Sequence, residues 1–416
     1  ALFLMAAGTL EYQGLVRRHI YARIAKRDMN KRIDPFQKSH PQSWGLAYDA
    51  LLTSEYYLAT GDKNVLPFLK WNCDYLALQQ SKVEPRVTPW PSALAGQAGG
   101  WRHNWHGGQG YGALAAVGLP AYLGFQLAKE AGVETDYKAL DRGIKYLYHN
   151  GVDVGNVIYG SYPEPYTELH PIDPDKLANG LLSSHNGAIS MAGVLFKIRG
   201  NKKIAHTCSF ISTFSYNNTH KAHGGNFWNN FFTPLGAKVQ GKKAFQTFMK
   251  GHAWYRDLHR MYDHSHHQGS AGIGGGQYLG LVAPRERLRI LGAPKSVFAE
   301  GQKRIFRDAL DCYYERDYVS AEQIANKLSS SGQLVGEDQA KAEQLQRAAH
   351  ELQLCIDHDM QRALLLIEEG KVYEASLDLP QLKGVVASEN KRLHEIVKLL
   401  ALPANIEIAK IDQKRY

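Results

Sequence analysis

Cysteine is scarce in this chain of 416 residues, and the four present build no framework. Cys73, Cys208, Cys312 and Cys355 include no CxxC pair and follow no disulfide-scaffold spacing, so the redox compartment stays open. Long apolar runs are missing too. The opening ALFLMAAG, residues 1 to 8, is too short to span a membrane and has no basic flank before it, so no membrane span is expected. There is no HExxH, and the carboxylates have no ligand spacing. The Gly-rich run GIGGG at 272 to 276 follows no strand and does not read as a dinucleotide or phosphate loop. No cofactor is expected.

The formal net charge of +9 raises the question of nucleic acid. The parts for it are absent. No Lys or Arg stripe interleaves with exposed aromatics, and there is no zinc finger. The basic runs RRHIYARIAKRDMNKR at 17 to 32 and PRERLR at 284 to 289 read as solvated surface. No nucleic-acid partner is expected, and an anionic substrate is the more modest inference.

The charge is unevenly placed. Residues 296 to 416 hold 16 Lys or Arg against 20 Asp or Glu, whereas residues 1 to 295 hold 33 against 20. All seven Trp and 15 of the 18 His also fall in the first part. Two chemistries therefore meet near 285 to 296, giving expected domains at 1 to 290 and 296 to 416. The chain begins within a helical pattern and without Met, and is read as a piece of a longer protein.

What is present is a pattern that recurs four times between Ser43 and Asp263. Each copy opens with a Gly, His or aromatic cluster, then runs helix, Gly-centred break, helix. The openings are SWG at 43 to 45, WRHNWHGGQGYG at 101 to 112, SSHNG at 183 to 187 and HGGNFWNN at 223 to 230. The breaks are TGDKN at 60 to 64, EAGVETD at 130 to 136, RGNKK at 199 to 203 and QGKK at 240 to 243. Helix pairs of this kind cannot bury their apolar faces alone and must stack or close on one another. The fold class is therefore all-α. Pro67 suits the first turn of its helix, Asp136 suits an N-cap, and the small residues of 112 to 128 suit close helix packing.

After 296 the pattern changes. YYERDYVSAEQIANKL and LLIEEGKVYEASLDLPQL share a helix end, a short turn and a second helix, separated by a long amphipathic run. This predicts tetratricopeptide-like hairpins, as a stabilising cap or a surface for a protein partner.

In a closed ring of pairs the openings would meet at one end. The densest is Trp101, His103, Trp105, His106, Gln109 and Tyr111. Trp faces stack on sugar rings, and His and Tyr exchange protons near neutral pH. His185 and Asn186 open the third pair, where Ser184 or Asn186 serves equally well as a cap. His223, Asn226, Trp228 and Asn229 open the fourth, beside Gly224 and Gly225, which allow close backbone approach. We assign His106, Tyr111, His185 and His223 as candidate catalytic groups and the others as substrate contacts. For hydrolysis, Glu164, Glu168, Asp173, Asp49 and Glu55 are the carboxylates to consider. Elimination needs only a Tyr, His or Lys base and a cationic neighbour. HSHHQ at 264 to 268, with His252 and His259, reads as a solvated helix end, and no metal is expected.

The four-fold pairs with Gly- and aromatic-rich openings, over roughly 40 to 283, resemble the α/α-toroid group. That group includes terpenoid cyclases, prenyltransferase β subunits, lanthionine cyclases and glycan-processing enzymes. HGGNFWNNFFTPLGAKVQGKKAF and GHAWYRDLHR at 251 to 260 are most similar to an uncharacterised toroid domain of large bacterial proteins. That resemblance implies an exported parent protein. The motifs of the better-known members are missing. There is no DxDD acid motif. No Cys accompanies Asp257, His259 and His264, and Cys208 has no second Cys suitably placed in the ring. The expected function is a glycan-active or glycan-binding domain, by hydrolysis or elimination, with a polysaccharide or anionic glycan as partner. The alternatives are a non-catalytic protein scaffold and a cyclase-like enzyme on an apolar substrate.

Overall fold

A computed structural model describes residues 1–29, 42–80, 98–101, 113–157, 165–168, 186–214, 227–259, 278–376 and 398. Among the described residues the chain is all-α. The one pairing of extended backbone is an isolated antiparallel bridge between Trp101 and Leu114. No helix among them is long and apolar enough to cross a membrane.

The chain divides into two compact units. The first comprises Ala1–Ala7, Arg27–Tyr57 and Asp62–Ala293, and the second Gly8–Lys26, Leu58–Gly61 and Pro294–Tyr416. The helices are α1 (Leu2–Ala7), α2 (Leu10–Ala25), α3 (Ser43–Thr60), α4 (Leu66–Gln79), α5 (Ala115–Glu130) and α6 (Lys138–His149). They continue with α7 (Asn186–Ile198), α8 (Lys202–Phe214), α9 (Phe227–Val239), α10 (Lys242–Gly251) and α11 (Ala253–His259). After the first unit come α12 (Arg307–Tyr314), α13 (Tyr318–Ser330), α14 (Gly336–Glu368) and α15 (Val372–Ser376).

The four breaks fall where the sequence puts them, and the backbone gives the reason. Gly61, Gly132, Gly200 and Gly241 have φ of 67°, 74°, 80° and 109°, a region that a residue with a Cβ rarely enters. At two of them the helix end is closed in the same way. Val133 N–H reaches Ala128 O and Asn201 N–H reaches Phe196 O, the six-to-one bond that ends a helix over a left-handed Gly. Pro67 lies in the first turn of α4. Asp136 accepts from Lys138 N–H at 3.1 Å, at the start of α6.

In the first unit α5, α7 and α9 pack side by side, with α8 along α7 and α9. α7 and α9 run in the same direction. Gly187 N–H donates to Asn229 Oδ1 (2.7 Å) in their first turns, and Ser190 meets Phe232 and Gly236 further along. Arg199, just after α7, bonds Gln126 near the end of α5 at 3.0 Å, so α5 shares that direction. Small residues permit the close approach. A Cβ on Gly124 would lie 2.8 Å from Ala50 Cβ, and one on Gly143 would lie 1.9 Å from the Tyr122 ring.

Ser190 also joins the ladder of the neighbouring helix. Pro234 interrupts the hydrogen-bond ladder of α9. The Ser190 hydroxyl donates to Phe232 O (2.5 Å) and accepts from Gly236 N–H (2.7 Å), spanning one rung of that ladder from the neighbouring helix.

The second unit is built on the 33-residue α14. Ile356, Met360, Ala363 and Leu366 of α14 bury against Val372 and Ala375 of α15, and Tyr318 of α13 packs on the same cluster. α2 also packs on α14. There Arg17, only 7% exposed, pairs with buried Asp359, with Arg18 3.7 Å from the same carboxylate. The basic run at 17 to 32 is therefore not solvated throughout, because two of its arginines neutralise a buried acid.

Candidate functional site

The openings of the pairs sit before α3, α5, α7 and α9, and the frame that carries three of them is visible. The 102–112 segment leaves Trp101 and returns at Leu114, and Leu114 N–H donates to Trp101 O at 2.8 Å. That bond closes the base of the segment. The Trp101 ring is fully buried against Tyr122 and Phe125, and its indole N–H donates to Leu76 O at 2.8 Å. Trp101 is thus an anchor, with no ring face left exposed.

Asn186 and Asn229 are equally enclosed, at 0% and 1% exposure. Asn229 Oδ1 satisfies an N–H of the first turn of α7 that no helical carbonyl can reach. One side chain thereby ties the starts of two neighbouring helices. His103, Trp105, His106, Gln109, Tyr111, His185, His223 and Asn226, and the side chain of Trp228, lie outside the described residues. Of the predicted set, the described structure therefore brings together Asn186 and Asn229, on adjoining helix starts.

The carboxylates take separate places. Glu168 is exposed and accepts from Tyr166 OH at 3.3 Å. Glu164 and Asp173 lie outside the described residues. Asp49 is buried in α3.

Glu55, also in α3, is 1% exposed. Its two oxygens accept from Arg289 N–H at 2.9 Å and Ile290 N–H at 2.8 Å. Burial outweighs those bonds and pushes its carboxyl up to about 7. Arg289 in turn grips Glu130, the last residue of α5, through Nε (2.8 Å) and Nη2 (3.0 Å). This clasp fastens the 3₁₀ turn Arg289–Leu291 to α3 and α5. PRERLR is not the solvated surface its composition suggests. Arg289 instead has a side chain only 14% exposed, and Arg285 donates to Ala7 O.

No group of three His, Cys, Asp or Glu suited to an ion occurs among the described residues. His252 is buried, stacked on Phe248 with ring centroids 4.2 Å apart. The side chain of His259 and all of 264 to 268 lie outside the described residues. Burial pushes the Cys208 thiol up, which disfavours the thiolate a metal needs.

Two clefts open elsewhere in the first unit. One of about 440 Å³ lies between the end of α8 and α10, lined by Phe214, Lys243, Phe248 and His252. The other, about 780 Å³, lies at the C-terminal ends of α7 and α9.

The chain belongs to the family described as Domain of unknown function (DUF6288), whose model matches residues 1–292. No curated protein and no solved structure matches it.

Proposed function

We propose that this DUF6288 chain is a glycan-active or glycan-binding domain, with its cleft formed by the openings of the helix pairs. The observation that carries the reading is directional. α5, α7 and α9 are neighbours that run the same way, so the segments rich in Trp, His, Tyr and Asn all enter from one end. A toroid of pairs, with parallel inner helices, is the arrangement this pattern fits. In such a cleft His106, His185 and His223 would exchange protons, Tyr111 would assist as acid or base, and Trp105 and Trp228 would stack on sugar rings. The reaction is hydrolysis or elimination. The basic first part of the chain favours an anionic glycan, and the parent protein is read as exported.

The test is a titration of polyuronate and neutral polysaccharides with the intact chain and with His106→Ala and His223→Ala. Saturable binding or turnover, lost in both variants while helicity is kept, is the expected result. Binding that survives both changes, or none to any polysaccharide, would sink the reading.

A second reading has its own observation. The second unit repeats helix hairpins, α12 with α13 and α14 with α15, in a tetratricopeptide-like order. Val319 and Leu365 stand 52% and 55% exposed on them. That surface suits a protein partner and would make the chain a scaffold. A cyclase-like activity on an apolar substrate has no comparable support.

A further inference from the structure

The larger cleft lies at the end of α7 and α9 away from the openings, and nothing in the glycan reading uses it. Its volume, about 780 Å³, is that of a small-molecule site. Ile198 and Val239, both part-exposed, supply an apolar floor, backed by buried Val194, Leu235, Phe245 and Leu291. Lys197, Lys238, Lys242 and Arg289 line it as cations, against the single carboxylate of Glu286.

Two of those cations are already engaged. Lys238 Nζ lies 2.5 Å from Glu286 Oε1, and Arg289 grips Glu130. Glu286 reaches Lys238 from a left-handed backbone, φ 50°, which a residue with a Cβ rarely adopts. Lys197 and Lys242 are exposed at the rim and make no ion pair among the described residues. An apolar floor under two uncompensated ammonium groups asks for a ligand with both characters.

We propose that this cleft binds a small amphiphilic anion. Its apolar body would lie on Ile198, Val239 and the edge of Phe245, and a carboxylate or phosphate head would sit between Lys197 and Lys242. A polysaccharide fits poorly, because the floor is apolar and has no Trp or Tyr. A macromolecular partner fits poorly, because the site is a concave cleft of small-molecule volume.

The test is calorimetric titration of the intact chain with decanoate and with decyl phosphate below their micellar concentrations. Decanamide serves as the neutral control. One-to-one saturable binding of at least one anion is expected, and the preferred head tells carboxylate from phosphate. Lys197→Gln and Lys242→Gln should each weaken it about fivefold, and the double variant more. Both lysines are exposed, so folding should survive, and circular dichroism checks it. Lys243→Gln, at an exposed lysine of the other cleft, should leave binding unchanged.

Four results would overturn the proposal. They are no saturable binding of either anion, equal binding of decanamide, binding unmoved in the double variant, or equal weakening by Lys243→Gln. The result is independent of the glycan reading, whose variants lie in the openings of the same helix pairs.

Discussion

The two ends of the helix pairs in the first unit are held by different chemistry. Where the pairs open, the ties are neutral and short. Asn229 caps an N–H of α7, and a single backbone bond closes the base of the 102–112 segment. Where the first helices end, the connections are brief left-handed Gly turns, and one clasp does the fastening: Arg289 is ion-paired with Glu130, and Glu55 accepts two backbone N–H groups of the same turn. The clasped end gains rigidity from a guanidinium fork whose geometry admits one arrangement.

Breaking the clasp should therefore cost most. Arg289→Ala leaves Glu130, 11% exposed, without its partner and removes the fork that holds α5, while the backbone bonds to Glu55 remain. We expect a loss of about 3 kcal/mol in stability by chemical denaturation. A loss under ~1 kcal/mol would show that the clasp does not govern that end.

The pH dependence of the same clasp comes next. Glu55 titrates near 7 in the fold, above the ordinary carboxylate range. Between those values the folded chain keeps a proton that the unfolded chain has released. Stability therefore falls as pH rises through that window, by up to about 3 kcal/mol, and then levels off. Denaturation at a series of pH values should show that fall, and Glu55→Gln should flatten it. A wild-type profile that rises from pH 5 to 7 would contradict the assignment to Glu55.

At the opening end the effects should be smaller. Asn229→Ala strips the acceptor from Gly187 N–H and should cost about 1–2 kcal/mol. Its signature is local: hydrogen exchange should quicken in the first turn of α7 more than at its end. Lys197→Gln and Lys242→Gln, at exposed positions on the other end, should change stability by less than about 0.5 kcal/mol. That leaves them clean reporters of binding.

What could be read from the sequence follows from range. The four breaks and the small-residue face of α5 depend on neighbours within a few positions, and each stands where the sequence puts it; Asp136 bonds Lys138 N–H, but the cap position of α6 falls to Tyr137. Arg289 and Arg17 were misread because their acids, Glu130 and Asp359, lie 159 and 342 residues away in the chain. Nothing in PRERLR or in the run from 17 distinguishes a buried guanidinium from a solvated one. α2 illustrates the same limit, since its place beside α14 is a tertiary fact. At the candidate site Asn229 accepts from Gly187 N–H, a partner 42 residues away that its residue type does not reveal. An Asn that closes a helix start and one that holds a sugar hydroxyl have the same local sequence. Trp101 is similar: the ring that anchors a loop and the ring that stacks on a ligand are chemically one group, separated only by burial.

The central claim is that the openings of the second and fourth pairs face one cleft. Paired cysteines test it most directly, as His106→Cys with His223→Cys in a chain whose Cys312 is changed to Ser. A short bifunctional maleimide should join them within one chain, and soluble polyuronate should slow the reaction. If the pair fails to cross-link while each single cysteine is labelled freely, the openings do not share a cleft and the account of this site is wrong.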